Sequence, residues 1–306
     1  METDNFNMST PITDVIGHPA FGNYGRLLFP VNSQYYSGTT LGNFRLTYYG
    51  CDPVKNVEIV NYLKSESESG KQAFYSIYSE EEKAADHTKK DTGLFFFRGK
   101  PGERFAICNA GGAFAFVGAM HDSFPHALEL AKHGYNAFAL IYRPGWQTAF
   151  EDLARAISFI FDHADELQVN TECYSLWGGS AGARMVADLG TYGPAYFGGG
   201  DYPRPGTVVM QYTGHDRYSR FDPPTFACVG ANDWIADWRR MKARTDALDH
   251  LGIPTEFHVY KGLDHGFGIG TGTVAEGWIN DAILFWEKNM KTGYELNDND
   301  IINRNY

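Results

Sequence analysis

Hydrophobic and polar positions follow different rhythms along the chain. Residues 1–50 show no sustained period and are rich in Gly, Asn, Tyr and Phe, which predicts an irregular N-terminal segment. Short apolar runs at 57–63 and 73–78 predict strands, with the Ser/Glu/Gly-rich stretch 64–71 as the turn between them. Residues 80–91 are charged and read as surface. The runs 94–97 and 104–108 flank Gly99-Lys100-Pro101-Gly102, a pattern that predicts a hairpin.

Beyond this point strand-like and helix-like patterns alternate. A helix is expected over 123–133, with Pro125 in its first turn and Gly134 just past its end. Residues 137–142 are continuously apolar, as a strand buried on both faces requires. Phe150, Leu153, Ala154, Ile157, Ile160, Phe161 and Ala164 recur at helical spacing. Strands are then expected at 173–177, 207–211, 225–229 and 255–260. The helices between and after them start at Ala181, run through Trp238, Met241, Thr245 and Leu248 to a stop at Gly252 and Pro254, and finally carry Trp278, Ile279, Ala282, Ile283 and Trp286. The polar tail 297–306 is expected to fray. Antiparallel strands followed by repeated strand–helix units place the chain in the α/β class. The expected architecture is one domain over residues 1–306, with a mostly parallel central sheet, antiparallel N-terminal strands and helices on both faces. In such sheets ligands bind beyond the carboxyl ends of the strands, so the turns that follow strands are where chemistry is sought.

Composition narrows the function classes. With 306 residues and 43% hydrophobic positions the chain can bury a large core. A formal net charge of −11 argues against nucleic acid and anionic membranes as partners. The cysteines Cys51, Cys108, Cys173 and Cys228 form no CxxC pair and no metal-ligand spacing, and the last three fall in expected strands. Free buried thiols fit a reducing, cytoplasmic setting. Residues 1–11 lack the basic and apolar regions of a signal peptide, and no apolar run is long enough to span a bilayer.

Four turns carry candidate chemistry. Gly178-Gly179-Ser180-Ala181-Gly182 has the form G-x-S-x-G between a strand and a helix, the setting of a nucleophilic serine on a strained turn. Asn109-Ala110-Gly111-Gly112-Ala113-Phe114 follows a strand. The amides of Gly111 and Gly112, with that of Ala181, are expected to face a developing oxyanion. His265, in Gly262-Leu263-Asp264-His265-Gly266-Phe267, lies between the last strand and last helix, where a general base for Ser180 belongs. Asp233 follows the 225–229 strand and is the candidate acid that orients the imidazole, ahead of Asp237 and Asp264. Phe114, Phe116, His121, Trp146 and Trp234 fall near these turns, where core packing and pocket lining explain them equally well.

In the order Ser180, Asp233, His265, after the glycine-rich loop, the chain resembles the α/β-hydrolase superfamily, and within it the bacterial carboxylesterases and acetyl esterases of the BD-FAE and hormone-sensitive-lipase-like groups. The likeness extends over residues 94–288 and includes Gly134-Tyr135, Tyr142-Arg143 and Asp152. It implies a serine carboxylesterase that hydrolyses short-acyl, acetyl-like esters, those of sugars among them, through an acyl-enzyme. The substrate is a small-molecule ester, and neither metal nor organic cofactor is required. Ala110 stands where a histidine or proline is usual, Ala113 where a third glycine is usual and Ala183 where a glycine is frequent, but none of these removes a backbone N–H. Only 53 positions separate Ser180 from Asp233, which leaves little room for an inserted cap. The aromatic segment 18–49 is therefore expected either to cover the cleft as a lid or to pack on the sheet edge. An amidase or peptidase with the same triad, and a non-catalytic ligand-binding protein on this fold, are the competing readings, and the sequence leaves a homo-oligomer open.

Overall fold

The structure is a computed structural model that describes residues 5–47 and 49–291; the tail expected at 297–306 lies outside the described residues. The N-terminal segment holds helix α1 (Ile12–Ile16), a 3-10 stretch over Pro19–Leu28 and a small antiparallel pair, β1 (Tyr36–Ser37) and β2 (Arg45–Leu46). Helix α2 (Pro53–Glu68), β3 (Phe74–Ser76), α3 (Glu80–Ala85), β4 (Gly93–Phe97) and β5 (Arg104–Asn109) follow. Next come α4 (Ala119–Asp122), α5 (Phe124–Lys132), β6 (Asn136–Ile141), α6 (Trp146–Asp162), α7 (Ala164–Leu167) and β7 (Asn170–Gly179). The chain continues through α8 (Ala181–Tyr192), β8 (Thr207–Gln211), β9 (Thr225–Gly230), α9 (Trp238–His250), β10 (Thr255–Tyr260) and α10 (Trp278–Lys291).

Eight strands form the central sheet in the order β10-β9-β8-β7-β5-β6-β4-β3. All neighbours are parallel except β4 against β6 and β3 against β4. Alternate residues of the same strand serve opposite faces. Phe95 and Phe97 join the core beneath the N-terminal segment, α5 and α10, whereas Leu94 and Phe96 join the core beneath α6 and α8. Burial on both faces explains why β6 is apolar at nearly every position. No helix of the described residues is long and apolar enough to cross a membrane.

Three expectations are corrected. Residues 57–63 are not a strand, and 64–71 is mostly not a turn, because α2 runs through both. Asp52 accepts the N–H groups of Val54 and Lys55, Pro53 sits in the first turn, and Asn56, Ile59, Val60, Leu63 and Lys64 are the buried positions, a helical period. The runs around Gly99–Gly102 do not form a hairpin: β6 is inserted between β4 and β5, antiparallel to one and parallel to the other. The described residues of the N-terminal segment are more ordered than their composition suggests, since Phe21, Leu28, Leu41 and Phe44 are buried in the main core. This segment packs on the sheet edge, where Tyr24 meets Phe74 and Phe95, and it also reaches inward: Tyr35 stacks on Phe116 at 4.6 Å.

Candidate active site

The turns after β5, β7, β9 and β10 converge at the carboxyl edge of the sheet. Ser180 joins β7 to α8 with φ 52° and ψ −113°, a conformation that costs a non-glycine residue of order 1–3 kcal/mol and persists only where its surroundings enforce it. One enforcement is close approach: a Cβ on Gly182 would lie 2.0 Å from the carbonyl oxygen of Asn109, so only glycine lets α8 start this near β5. Another is the Ser180 N–H, which donates to the carbonyl of Gln211 at the end of β8.

His265 Nε2 lies 3.0 Å from Ser180 Oγ, and His265 Nδ1 lies 2.8 Å from Asp233 Oδ2. Because a carboxylate only accepts, Nδ1 carries the proton in the resting pair and leaves Nε2 as an acceptor facing the serine hydroxyl. The Asp233 side chain is fully buried, and its Oδ1 accepts the N–H groups of Ile235 and Ala236 at 2.8 and 2.7 Å, so the carboxylate is held in place by its own turn. The competing acids are elsewhere: Asp237 caps α9 through Arg239 N–H, and Asp264 is solvent-exposed. Tyr212 meets the His265 ring edge-on at 5.1 Å, and Tyr49 from the N-terminal segment lies 6.0 Å from it.

The three expected oxyanion donors do not share one fate. The N–H groups of Gly112 and Ala181 have no acceptor among the described residues, and Ala181 opens α8, where the helix dipole favours negative charge. Gly111 is corrected: its N–H donates to Asp122 Oδ2 at 2.8 Å, deep in the protein, and is spent there. The loop beyond it turns through three consecutive positive φ angles, 133° at Gly112, 53° at Ala113 and 60° at Phe114.

Asp122 was not singled out from the sequence. It is buried, its other carboxylate oxygen accepts the Tyr212 hydroxyl, and it lies directly beneath the turn at Ser180, since a Cβ on Gly179 would meet it at 2.5 Å. Burial, followed by the charge of Asp122, raises the Tyr212 hydroxyl well above its ordinary value, so it stays a donor. Gln211 and His126 form a second unanticipated support. His126 Nε2 meets Gln211 Oε1 at 2.7 Å, and Gln211 Nε2 donates to the carbonyl of Gly268 at 2.8 Å. One residue thus ties the turn at Ser180 to the loop that carries His265. A His-Asp dipeptide that starts ten residues after Gly111, and a glutamine ending an apolar strand, are the only traces these groups leave in the sequence. Of the aromatic candidates, Phe116 is buried in the core and His121 is stacked under Tyr49, whereas Trp146 and Trp234 are exposed.

The chain matches the BD-FAE family model over residues 101–196, the part that carries the glycine-rich loop and Ser180. No curated protein matches the sequence. Among solved structures, the chain is similar to an acetyl ester-xyloside bifunctional hydrolase from Caldicellulosiruptor lactoaceticus, with a TM-score of 0.60 and 18% identity over 71% of this chain and 96% of that one. An α/β-hydrolase enzyme from a Medee basin deep-sea metagenome library gives a TM-score of 0.58 and 21% identity over 71% and 97% of the two chains. A thermophilic esterase from Thermogutta terrifontis gives 0.57 and 16% over 73% and 93%. The strand order, the turn at Ser180 and these likenesses together identify the chain as an α/β-hydrolase-fold protein with a BD-FAE match over residues 101–196.

Proposed function

We propose that the protein is a serine carboxylesterase that cleaves short-acyl, acetyl-like esters, those of sugars included. The observation that carries this reading is the continuous chain Ser180–His265–Asp233, at 3.0 and 2.8 Å, beside two amides with no other acceptor. His265 takes the Ser180 proton as Oγ attacks the ester carbonyl, and Asp233 stabilises the imidazolium that forms. The tetrahedral oxyanion is held by the N–H groups of Gly112 and Ala181, each such donor lowering the barrier by about 3 kcal/mol. The alcohol departs with the proton from His265, and water, deprotonated by the same imidazole, releases the acid from Ser180. The hydrolases among the structural neighbours, one of them an acetyl ester-xyloside hydrolase, support the reaction class.

The test is hydrolysis of 4-nitrophenyl acetate, butyrate and octanoate by wild type and Ser180→Ala. Turnover of the short esters that falls by several orders of magnitude in the variant is expected. A folded wild type inert on all three esters, or a variant as active as wild type, overturns the proposal.

A further inference from the structure

A cleft opens beside α6. This cleft of about 680 Å³ lies between α6 and the 3-10 segment Pro194–Phe197, a volume typical of sites that hold whole small ligands. Its floor is the stacked pair Phe150 and Phe197, with ring centroids 5.2 Å apart. Trp146 and Tyr196 lie along it and are 45% and 69% exposed, well beyond what core packing requires. Neither ring is loose. Trp146 is held by Phe114 at 4.9 Å, Phe150 at 5.1 Å and the Arg184 guanidinium at 3.9 Å, and Tyr196 stacks on Tyr192 at 4.8 Å. Trp146 also links the cleft to the reacting centre. Phe114 belongs to the loop that offers the Gly112 N–H, and Arg184 donates its backbone N–H to the carbonyl of Ser180.

Most charges that line the cleft are matched, and its one lysine, Lys89, lies over the Tyr78 ring at 4.6 Å. Arg143 pairs with Asp152 and Glu151 at 2.7 and 3.4 Å, and Arg155 pairs with Glu82 at 3.3 Å. No strong net charge is left to select an anion or a cation. What remains is fixed aromatic faces bordered by planar polar groups, the Gln147 amide, which donates and accepts, and the Glu151 carboxylate, which accepts. A neutral ligand with an apolar face and a rim of hydroxyls matches this pattern. The C–H face of a pyranose packs on the electron-rich face of an aromatic ring, and its hydroxyls reach the planar polar side chains.

We infer that this cleft binds a neutral oligosaccharide, with Trp146 and Tyr196 as its stacking platforms. Calling that glycan the alcohol part of an ester substrate rests on the esterase reading, but the binding itself does not. The test is calorimetric titration of Ser180→Ala protein with xylotetraose and cellotetraose, repeated with Trp146→Ala and Tyr196→Ala added singly. Saturable binding of at least one oligosaccharide is expected, weakened by about three- to tenfold when either ring is removed. Tyr196 is the more exposed ring, so its variant reports even if loss of Trp146 disturbs the fold. No saturable binding by the folded Ser180→Ala protein, or binding unchanged in Tyr196→Ala, overturns the inference. So does concentration-dependent self-association that Tyr196→Ala abolishes in a protein that binds neither sugar. Because titration needs no turnover, absence of ester hydrolysis in the wild type would defeat the esterase proposal and leave this result standing.

Discussion

Asp122 offers the most searching perturbation of the candidate site, because on the proposed reading it acts only through the glycine loop, as a positioning residue. Its two oxygens accept the Gly111 N–H and the Tyr212 hydroxyl in a place closed to solvent. In Asp122→Ala both donors lose their acceptor, at about 1–3 kcal/mol each, which is a large share of the stability of an ordinary domain. Asp122→Asn is the sharper experiment. Its neutral amide oxygen accepts the Gly111 N–H without charge assistance, and its NH2 must donate to a tyrosine oxygen that now donates, so two charge-assisted bonds of about 1.5–3 kcal/mol each are replaced by weaker ones. If Gly111 is what holds Gly112 at its φ of 133°, loosening the anchor misplaces one oxyanion donor. Full loss of such a donor costs about 100- to 1000-fold in kcat, so a partial loss of about 10- to 100-fold is expected in Asp122→Asn. KM should change little, since the interaction is made only in the transition state. The assay is steady-state hydrolysis of 4-nitrophenyl acetate alongside a thermal melt. A variant with a lowered Tm but an unchanged kcat would refute the reasoning and leave Asp122 a purely structural carboxylate. Tyr212→Phe, which spares the Gly111 bond, should reduce kcat less than Asp122→Asn.

Other outcomes follow from single contacts. Gly182→Ala places a Cβ 2.0 Å from a backbone oxygen and is expected to lower stability by about 1–3 kcal/mol or more and to abolish ester turnover, checked by urea unfolding and activity. Asp152→Ala strips the buried Arg143 of its main partner and should cost about 3–5 kcal/mol, whereas substitution of both residues together by apolar ones should recover much of it. Burial pushes the pKa of His126 down from 6.5 to about 4, so the unfolded chain binds its proton more readily. Stability from this residue is complete above pH 6.5 and is lost as pH falls toward about 4, by roughly 3 kcal/mol, a slope in the unfolding midpoint that His126→Phe should flatten.

What the linear chain determines here is whatever repeats or punctuates locally. A strand, a glycine-rich turn and a helix are adjacent at Ser180, so the alternation of apolar period and the G-x-S-x-G spacing identify that turn without reference to anything distant. His265 and Asp233 stand out as candidates because each follows a strand, and parallel strands deliver the turns beyond them to one edge. Local patterns failed where two readings share them. The run 57–63 is apolar enough for a strand, and only the Asp52-Pro53 start and the buried spacing of Ile59, Val60 and Leu63 reveal a helix. The tertiary structure alone decided which partner each element meets. Insertion of β6 between β4 and β5 removed a hairpin that turn chemistry favoured, because sheet order is set by burial on both faces rather than by the connecting residues. It also brought Tyr212 to Asp122 across ninety positions and His126 to Gln211 across eighty-five. Those buried polar groups are silent in the sequence, since a hydrogen bond between distant residues leaves no periodicity behind. Yet one of them occupies the Gly111 N–H, and the other ties the Ser180 turn to the loop that carries His265.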